Sequence, residues 1–273
     1  MTQRFKFPLP LILGVFLFSF FIFWAFGYFL YKFFASFNLI PFALELELMA
    51  PNFDSWTNFL GRDVFGRPLL FLLSEGLLYS LGLSFIVSFS TLFLGVFLAY
   101  AALRGHFLIK KLINLATDLI FTLPSILLAI FILSLFNQSF WSLTLILIIT
   151  GWPGYAKIAH EELKRLLAFD FVEASLALGC SERHLLFRVL FPCLIPLFQV
   201  YFFLNIIGVL ITESVLSFLG LGNNPYSWGI LLSQGKDVLL EAPHVAIITS
   251  IPLILLLLSL QLISEGFKAL RRF

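Results

Sequence analysis

The sequence predicts an all-α, polytopic membrane protein with six transmembrane helices. Composition is the first indication, because 60% of the 273 residues are hydrophobic and only 12% are charged, and the mean hydropathy is +1.03. A soluble core cannot bury so much apolar surface, so lipid must be the solvent for most of the chain. The second indication is a set of six apolar stretches close to the ~20 residues that cross a bilayer. The third is an uneven distribution of basic residues along the chain.

The six predicted spans divide the chain into two parts. They are roughly Phe7–Phe34, Leu77–Leu103, Leu112–Phe136, Trp141–Ile158, Val189–Phe218 and Val245–Ile263. The first is too long for the apolar region of a signal peptide, and no small-residue cleavage site follows it, so we expect it to be retained. Residues 1–76 then form an N-terminal span with a first extracytoplasmic segment. Residues 77–273 form a core of five spans with a cytoplasmic segment at about 157–188.

Basic residues orient these spans. With the N-terminus in the cytoplasm, 13 of the 17 basic residues fall on the cytoplasmic side, namely Arg4, Lys6, Arg104, Lys110, Lys111, Lys157, Lys164, Arg165, Arg183, Arg188, Lys268, Arg271 and Arg272. The outer side holds Lys32, Arg62, Arg67 and Lys236. The positive-inside rule therefore predicts that both termini are cytoplasmic. Two long segments, Ala35–Gly76 and Gly220–His244, then face outward.

The cytoplasmic stretch FVEASLALGCSERHLLFRVLFP interrupts the apolar sequence with charges and small residues. Asp170 and Glu173 have the spacing of a capping box, which predicts a helix from about Phe171 to Leu178. Gly179 follows where a left-handed C-cap is favoured, and Ser181 is placed to cap the next helix, which leads into the membrane.

The predicted short helix has a nearly bare surface beside two apolar side chains. Ala174, Ser175 and Ala177 would allow another protein to approach closely, and Phe171 and Leu178 would anchor it. This pattern is typical of a helix that docks in a partner's groove. It is equally typical of a surface helix that lies among lipid headgroups.

The same stretch resembles the signature of the permeases of ABC importers. Glu173-Ala174-Ser175, then Gly179, then Val189-Leu190-Phe191-Pro192 match the pattern E-A-A, three residues, G, nine residues, I-x-L-P. Ser175, Val189 and Phe191 depart from it by substitutions of similar size or polarity. In that family the short helix couples the permease to a separate ATPase, so the resemblance assigns ATPase coupling to Asp170, Phe171, Glu173, Ala174, Ser175, Leu178 and Gly179.

Other motifs are similar to the second permease of peptide and nickel importers. Leu60-Gly61-Arg62-Asp63 followed by Gly66-Arg67 is similar to L-G-T-D-x-x-G-R-D, from which Arg62 and Pro68 depart. Asn114, Asp118 and Pro124 fit N-R-x-x-D-x-x-x-x-x-P, with Leu115 in place of the Arg. The run from Glu213 to Gly222 resembles E-A-A-L-S-F-L-G-L-G, and Ser227-Trp228-Gly229 and Gly235-Lys236-Asp237 match S-W-G and G-R-D.

The resemblance implies a type I ABC importer permease fold in a bacterial inner membrane. It implies a homologous second permease as partner, so that a heterodimer is expected, with two ATPase subunits and an extracytoplasmic substrate-binding protein. ATP and magnesium would then bind to the ATPases, and this chain would hold no cofactor. Docking of the binding protein is expected on the outer segments, with Asp63, Arg67, Trp228 and Asp237 as candidate residues. Oligopeptides or dipeptides are the expected cargo, with nickel as the alternative.

Two ionisable residues inside predicted spans are candidates for a gate or for helix packing. Burying such groups in lipid costs several kcal/mol, so Asp118 and Glu213 require partners or a function. Local pairing that fixes helix packing is the simpler explanation for both. The other places Glu213 at an outer gate, beside the glycine-rich turn with Gly220 and Gly222. Pro124, Pro192 and Pro196 are expected to kink their spans.

The sequence disfavours enzymatic functions. Gly235-Lys236 is the only Gly-Lys pair, and Ile230 occupies the position of the first glycine of a phosphate-binding loop. His160-Glu161 begins a zinc-hydrolase motif, but Lys164 replaces its second histidine. Cys180 and Cys193 imply no disulfide framework, and no basic pattern indicates nucleic-acid binding. A carrier driven by an ion gradient is the rival function, but it would need charges near the membrane midplane and internal repeats, and neither is found.

Overall fold

The computed structural model describes residues 8–35, 40, 42–181 and 184–271. The α-helices are α1 Leu9–Ala35, α2 Leu69–Arg104, α3 Phe107–Thr122, α4 Ser125–Leu135, α5 Phe140–Leu167, α6 Asp170–Ala177, α7 Phe191–Phe218, α8 Trp228–Asp237 and α9 Pro243–Arg271. Within the described residues, the one β-type pairing is an isolated bridge between Arg62 and Pro68. The predictions for Arg4, Lys6, Arg183 and Arg272, and for the first span's start at Phe7, lie outside these residues.

Five helices are long and apolar enough to cross a membrane, and a bent pair supplies the sixth span. The five are α1, α2, α5, α9 and α7 with the turn before it, and the bent pair is α3 with α4. The predicted all-α, six-span architecture is therefore confirmed when α3 and α4 are taken as one span.

The third span is not the continuous helix that the sequence predicts. Its two halves meet at 94°, with Leu123 in an extended conformation (φ −102°, ψ 140°) between them. The physical reason is Pro124, whose ring excludes the preceding residue from helical geometry and which has no N–H to donate. The expected kink at Pro124 is thus a full break.

The second span begins at Leu69, eight residues before the predicted Leu77. This first part of α2 contains the polar residues Ser74 and Glu75. In the structure α1 satisfies both groups, because the Trp24 indole donates to the Ser74 hydroxyl at 2.8 Å and the Lys32 ammonium pairs with Glu75 at 2.5 Å. A division of the chain after residue 76 is therefore wrong, since it falls inside α2.

Several other boundaries also move outward from the predicted spans. Helix α5 continues to Leu167, so the first third of the predicted cytoplasmic segment belongs to it, and the last span runs from Pro243 to Arg271. The second outer segment contains α8, which the sequence interpretation treated as a loop. Before α7, residues Leu185–Leu190 form a π-helical turn, and Pro192, which has no N–H to donate, follows two residues after it.

Helix α2 lies at the centre of the bundle. Its N-terminal part packs against α1, α7, α8 and α9, its middle against α4 and α5, and its C-terminal end against α5 and the turn before α7. Glycines permit the closest approaches. A Cβ on Gly95 of α2 would lie 2.5 Å from the Cβ of Tyr155 on α5, and one on Gly14 of α1 would lie 2.7 Å from the backbone nitrogen of Ile263 on α9.

Candidate functional site

Helix α6 projects a mixed apolar and acidic surface away from the bundle. Leu178 is 89% exposed and Phe171 is 43% exposed, and the Phe171 ring stacks on Phe169 with centroids 5.8 Å apart. Glu173 and Ala174 are exposed between them. Apolar side chains that a single chain leaves uncovered at the end of a bundle are free to contact lipid headgroups or another protein.

The C-terminal end of α6 is closed as the sequence predicts. Gly179 has φ +82°, and the Cys180 N–H donates to the Ser175 carbonyl at 3.1 Å, which is the 6→1 bond of a Schellman motif. Ser181 then caps the following helix, because its hydroxyl accepts from the His184 N–H at 3.4 Å. The left-handed cap at Gly179 and the cap at Ser181 are both confirmed.

The N-terminal end of α6 differs from the predicted capping box. The helix begins at Asp170 itself, so Asp170 lies in the first turn and does not precede it. The Val172 N–H donates to the Phe169 carbonyl at 2.9 Å, which means that backbone closes this end. Asp170 and Glu173 remain in the first turn, where the positive end of the helix dipole favours carboxylates.

Among the described side chains of α6, Val172 anchors the helix to the bundle. Val172 is 1% exposed and belongs to a buried cluster with Leu163 and Leu166 of α5 and Leu185 of the π-helical turn. A displacement of α6 would therefore be passed to α5 and to the lead-in of α7, because packed side chains of this kind move together.

The first outer segment is organised around a buried ion pair. Asp63 is fully buried and Arg67 is 5% exposed, and the guanidinium contacts one carboxylate oxygen at 2.6 and 2.8 Å. The Phe65 and Arg67 N–H groups donate to the other oxygen at 3.0 and 2.8 Å. Gly61 and Gly66 take positive φ on either side, so the motif G-x-D-x-x-G-R is a self-satisfied turn.

Trp228 is likewise internal, and its indole N–H donates to the Leu73 carbonyl at 2.9 Å. Ser227 caps α8 by accepting from the Ile230 N–H at 3.4 Å. Of the four predicted docking residues, only Asp237 is exposed, beside Lys236 at 3.2 Å. Asp63, Arg67 and Trp228 are buried in the chain's own core and therefore cannot form a contact surface. The prediction that they dock a binding protein is wrong for these three side chains.

Glu213 is fully buried and held by hydroxyl groups. Ser217 donates to one carboxylate oxygen at 2.8 Å and Ser80 of α2 to the other at 3.2 Å. The Ser80 bond joins α2 to α7 and the Ser217 bond lies within α7, an arrangement that suits a packing role. In the turn that follows, Gly220 has φ +81°, and a Cβ on Gly222 would collide with the Ser217 side chain.

Asp118 does not pair locally, in contrast to the simpler expectation from sequence. Its side chain is exposed, and the carboxylate forms no hydrogen bond or ion pair with a described residue. It lines a cavity of about 310 Å³ among α2, α3 and α5, together with Lys157 and His160. Pro124 lies just beyond, at the break between α3 and α4.

Sequence interpretation missed a row of polar contacts between α2 and α7. Ser88 donates to the Asn205 side-chain oxygen at 2.8 Å, and Thr91 lies 3.5 Å from the same oxygen. The signal was present as buried hydroxyl residues four positions apart on α2, Ser80, Ser84 and Ser88, which lie on one helix face. Hydroxyl and amide groups at such positions hold helices together in membranes.

Across the part of the chain that the structure describes, no three His, Cys, Asp or Glu side chains are grouped so that they could hold a metal ion. His160 and Glu161 share the α3–α5 cavity with Asp118, but Lys157 lies in the same cavity. A cation at this place would meet that positive charge.

Comparison with known proteins places the chain in a family. Residues 91–270 match the family model described as the inner membrane component of binding-protein-dependent transport systems. The chain therefore belongs to this family, which comprises the permease subunits of ABC importers, and it is a multi-pass inner-membrane protein.

Individual relatives are consistent with that assignment. The glutathione transport system permease protein GsiD of Pectobacterium atrosepticum is 28% identical over 77% of this chain and 68% of its own length. A Brucella ovis protein that carries the name of a peptide permease is 29% identical over 82% of this chain and 76% of its own length. Among solved structures, the inward-facing MetNI methionine ABC transporter matches 75% of this chain and 97% of its own, with a TM-score of 0.59 and 18% identity.

Proposed function

We propose that this chain is the permease subunit of an ATP-driven, binding-protein-dependent peptide importer. It forms half of the translocation path, and a second, homologous permease forms the other half. Two separate ATPase subunits bind ATP and magnesium, and this chain itself carries no cofactor. Both termini lie in the cytoplasm, on the side of the membrane to which the basic residues assign α6.

The observation that carries the proposal is the geometry of α6. A two-turn helix with a firm C-cap presents Phe171, Ala174 and Leu178 outward, while Val172 holds it to α5. An exposed apolar helix face suits a groove on a partner protein. Closing of the ATPase dimer would push α6, and a rigid helix would transmit that displacement where a loop would absorb it.

Peptides are favoured over nickel as cargo for two reasons. The relatives reported above carry the names of glutathione and peptide permeases, and glutathione is itself a small peptide. The described residues also contain no group of side chains suited to a metal ion. The binding protein delivers the peptide to the exposed parts of the outer segments, which include Asp237 and Trp56.

The first experiment is purification of the tagged chain from its native membrane in mild detergent, with mass spectrometry of the proteins that accompany it. We expect a second six-span permease and one or two ATPases. A chain that emerges alone or as a homomer, with no ATPase even after cross-linking through α6, would contradict the proposal and favour a gradient-driven carrier.

A matched pair of variants then tests α6 directly. Leu178→Glu places a charge on the 89% exposed α6 side chain, and Leu240→Glu places one on a 99% exposed side chain at the opposite end of the bundle. Only Leu178→Glu should reduce recovery of the ATPase. Glu173→Ala and Gly179→Asp should abolish ATP-dependent peptide uptake while membrane insertion stays intact. Unchanged uptake in these variants would refute the coupling assignment.

A further inference from the structure

A mixed-charge cavity lies at the cytoplasmic end of the bundle. We call it the inner vestibule, and its volume is about 310 Å³. Its polar lining comes from two facing helices and comprises Asn114, Thr117 and Asp118 of α3 and Lys157, His160 and Glu161 of α5. Ala99 and Ala102 of α2 close the back, and their small side chains leave the space open. The volume lies at the lower end of the ~300–1,000 Å³ found for small-molecule sites.

Opposite charges in the inner vestibule do not neutralise each other. Asp118 and Lys157 line the same cavity, yet neither forms an ion pair with a described residue. The Lys157 ammonium instead lies 5.8 Å from the centre of the Phe121 ring. Ionisable groups at membrane depth usually pair with one another or serve a ligand path. A carboxylate on α3 and an ammonium on α5 that line one cavity without pairing are suited to a ligand that carries both opposite charges.

We propose that the inner vestibule is an exit subsite for the two charged termini of a free short peptide. This inference rests on the proposed function. Asp118 on the α3 wall receives the peptide's ammonium group, and Lys157 on the α5 wall receives its carboxylate. Asn114 and Thr117 supply hydrogen-bonding groups for the peptide bond. A metal cation is a poor ligand here because Lys157 would repel it.

The vestibule is also connected to α6. Lys157, His160 and Glu161 lie on α5, and Leu163 and Leu166, in the next turns of the same helix, share a buried cluster with Val172 of α6. A movement of α6 would therefore shift one wall of the vestibule relative to the other, since α3 has no buried residue that ties it to this cluster. The two walls bind the two ends of the peptide, so their separation controls its release.

The test measures equilibrium binding of radiolabelled Ala-Ala to the complete transporter complex in nanodiscs of phosphatidylcholine and phosphatidylglycerol, without the binding protein. Asp118→Asn and Lys157→Gln should each weaken Ala-Ala binding by about ten-fold or more, because each removes the partner of one terminal charge. The control variants Lys164→Gln of α5 and Glu265→Gln of α9 are both exposed and lie outside the vestibule. They should leave Ala-Ala binding unchanged.

Blocked peptides assign each charge to its partner. N-acetyl-Ala-Ala lacks the ammonium group, so its weaker binding should not change further in Asp118→Asn. Ala-Ala amide lacks the carboxylate, so its binding should not change further in Lys157→Gln. If both variants weakened the binding of all three peptides equally, the proposed pairing of each terminus with one side chain would be wrong.

Further outcomes separate this site from the proposed function. Uptake of Ala-Ala by the wild-type complex without saturable binding in nanodiscs would overturn the subsite and leave the importer assignment intact. Absence of Ala-Ala uptake by the wild-type complex would overturn both. Loss of the second permease from Asp118→Asn or Lys157→Gln complexes would show that these charges belong to a subunit interface. Displacement of Ala-Ala by phosphatidylethanolamine, with an equal loss of binding in both variants, would overturn the peptide subsite and assign the vestibule to a lipid headgroup.

Discussion

At the scale of single residues, the Asp63–Arg67 pair explains the polar motif of the first outer segment. Both side chains are withdrawn from water, and the Arg67 guanidinium lies 4.8 Å from the Phe65 ring centre and 5.7 Å from that of Tyr226. The carboxylate is saturated by four donors from its own turn. A charge that is buried and fully hydrogen-bonded in this way is costly to leave without its partner.

Removal of one partner should therefore destabilise the protein strongly. Asp63→Ala should lower the free energy of unfolding by about 3–5 kcal/mol, because Arg67 remains buried without a counter-charge. Asp237→Ala breaks an exposed pair and should cost about 1 kcal/mol or less. Unfolding of the purified chain in mixed micelles, followed by circular dichroism during titration with a denaturing detergent, measures both.

A double variant isolates the cause. Asp63→Leu with Arg67→Met replaces both charges with apolar side chains, and it should recover most of the stability that Asp63→Ala loses. A double variant as unstable as Asp63→Ala would show that the turn depends on the hydrogen bonds to its backbone and not on charge balance.

At the scale of elements, the break between α3 and α4 sets the shape of the inner vestibule. The 94° bend directs α3 across the C-terminal halves of α2 and α5 and directs α4 against the first third of α5. A straight span would run through the bilayer with its polar residues facing lipid. The bend allows Asn114, Thr117 and Asp118 to face a cavity.

Substitution of Pro124 should weaken this bend. In Pro124→Ala, residue 124 regains a backbone N–H and Leu123 regains access to helical geometry. Spin labels at Leu112→Cys and Phe131→Cys, both exposed, in a background where Cys180 and Cys193 are serine, should report an additional population at longer distance. Pro252→Ala, which lies within the continuous helix α9, should not lengthen the distance between labels at Ile247→Cys and Leu258→Cys. An unchanged distance in Pro124→Ala would mean that packing of α4 against α5 alone maintains the break.

At the scale of the whole molecule, α1 is held to the core by α9. Gly14 of α1 meets the α9 backbone, where an added Cβ would lie 2.7 Å from the Ile263 nitrogen and 2.9 Å from the Ser259 oxygen. Gly266 of α9 meets Leu11 of α1, whose Cβ an added methyl group would overlap. Small residues on both helices permit the close contact that drives association in lipid, where the hydrophobic effect between helices is absent.

Methyl groups at these positions should separate the two helices. Gly14→Ala and Gly266→Ala should each lower stability by about 1–3 kcal/mol through overpacking. Gly27→Ala lies on the same helix α1 but meets no atom within 4 Å, so it should be neutral or stabilising by up to about 1 kcal/mol, since alanine favours the helix. The midpoints of thermal unfolding in one detergent measure all three. Equal midpoints for Gly14→Ala and Gly27→Ala would contradict the close-packing explanation.

The sequence by itself determined the features that depend on local chemistry. Apolar length predicts the spans because lipid requires every backbone group to be bonded internally, and glycine at 179 predicts a left-handed cap because it has no Cβ. Pro124 predicts a disturbed third span because proline has no N–H to donate and restricts the residue before it. These properties are carried by residues close to one another in the chain.

Only the tertiary structure decided which polar residues are buried and which remain available. Asp63, Arg67 and Trp228 have the composition of a contact surface, but all three are buried: Asp63 and Arg67 pair within one turn, which Tyr226 helps to cover, and Trp228 bonds to Leu73. Asp118 has the composition of a packing residue, but it pairs with no described residue and lines a cavity with Lys157. Burial depends on contacts between distant parts of the chain, and no pattern of neighbouring residues specifies it. Those long-range contacts define the inner vestibule and its two charged walls.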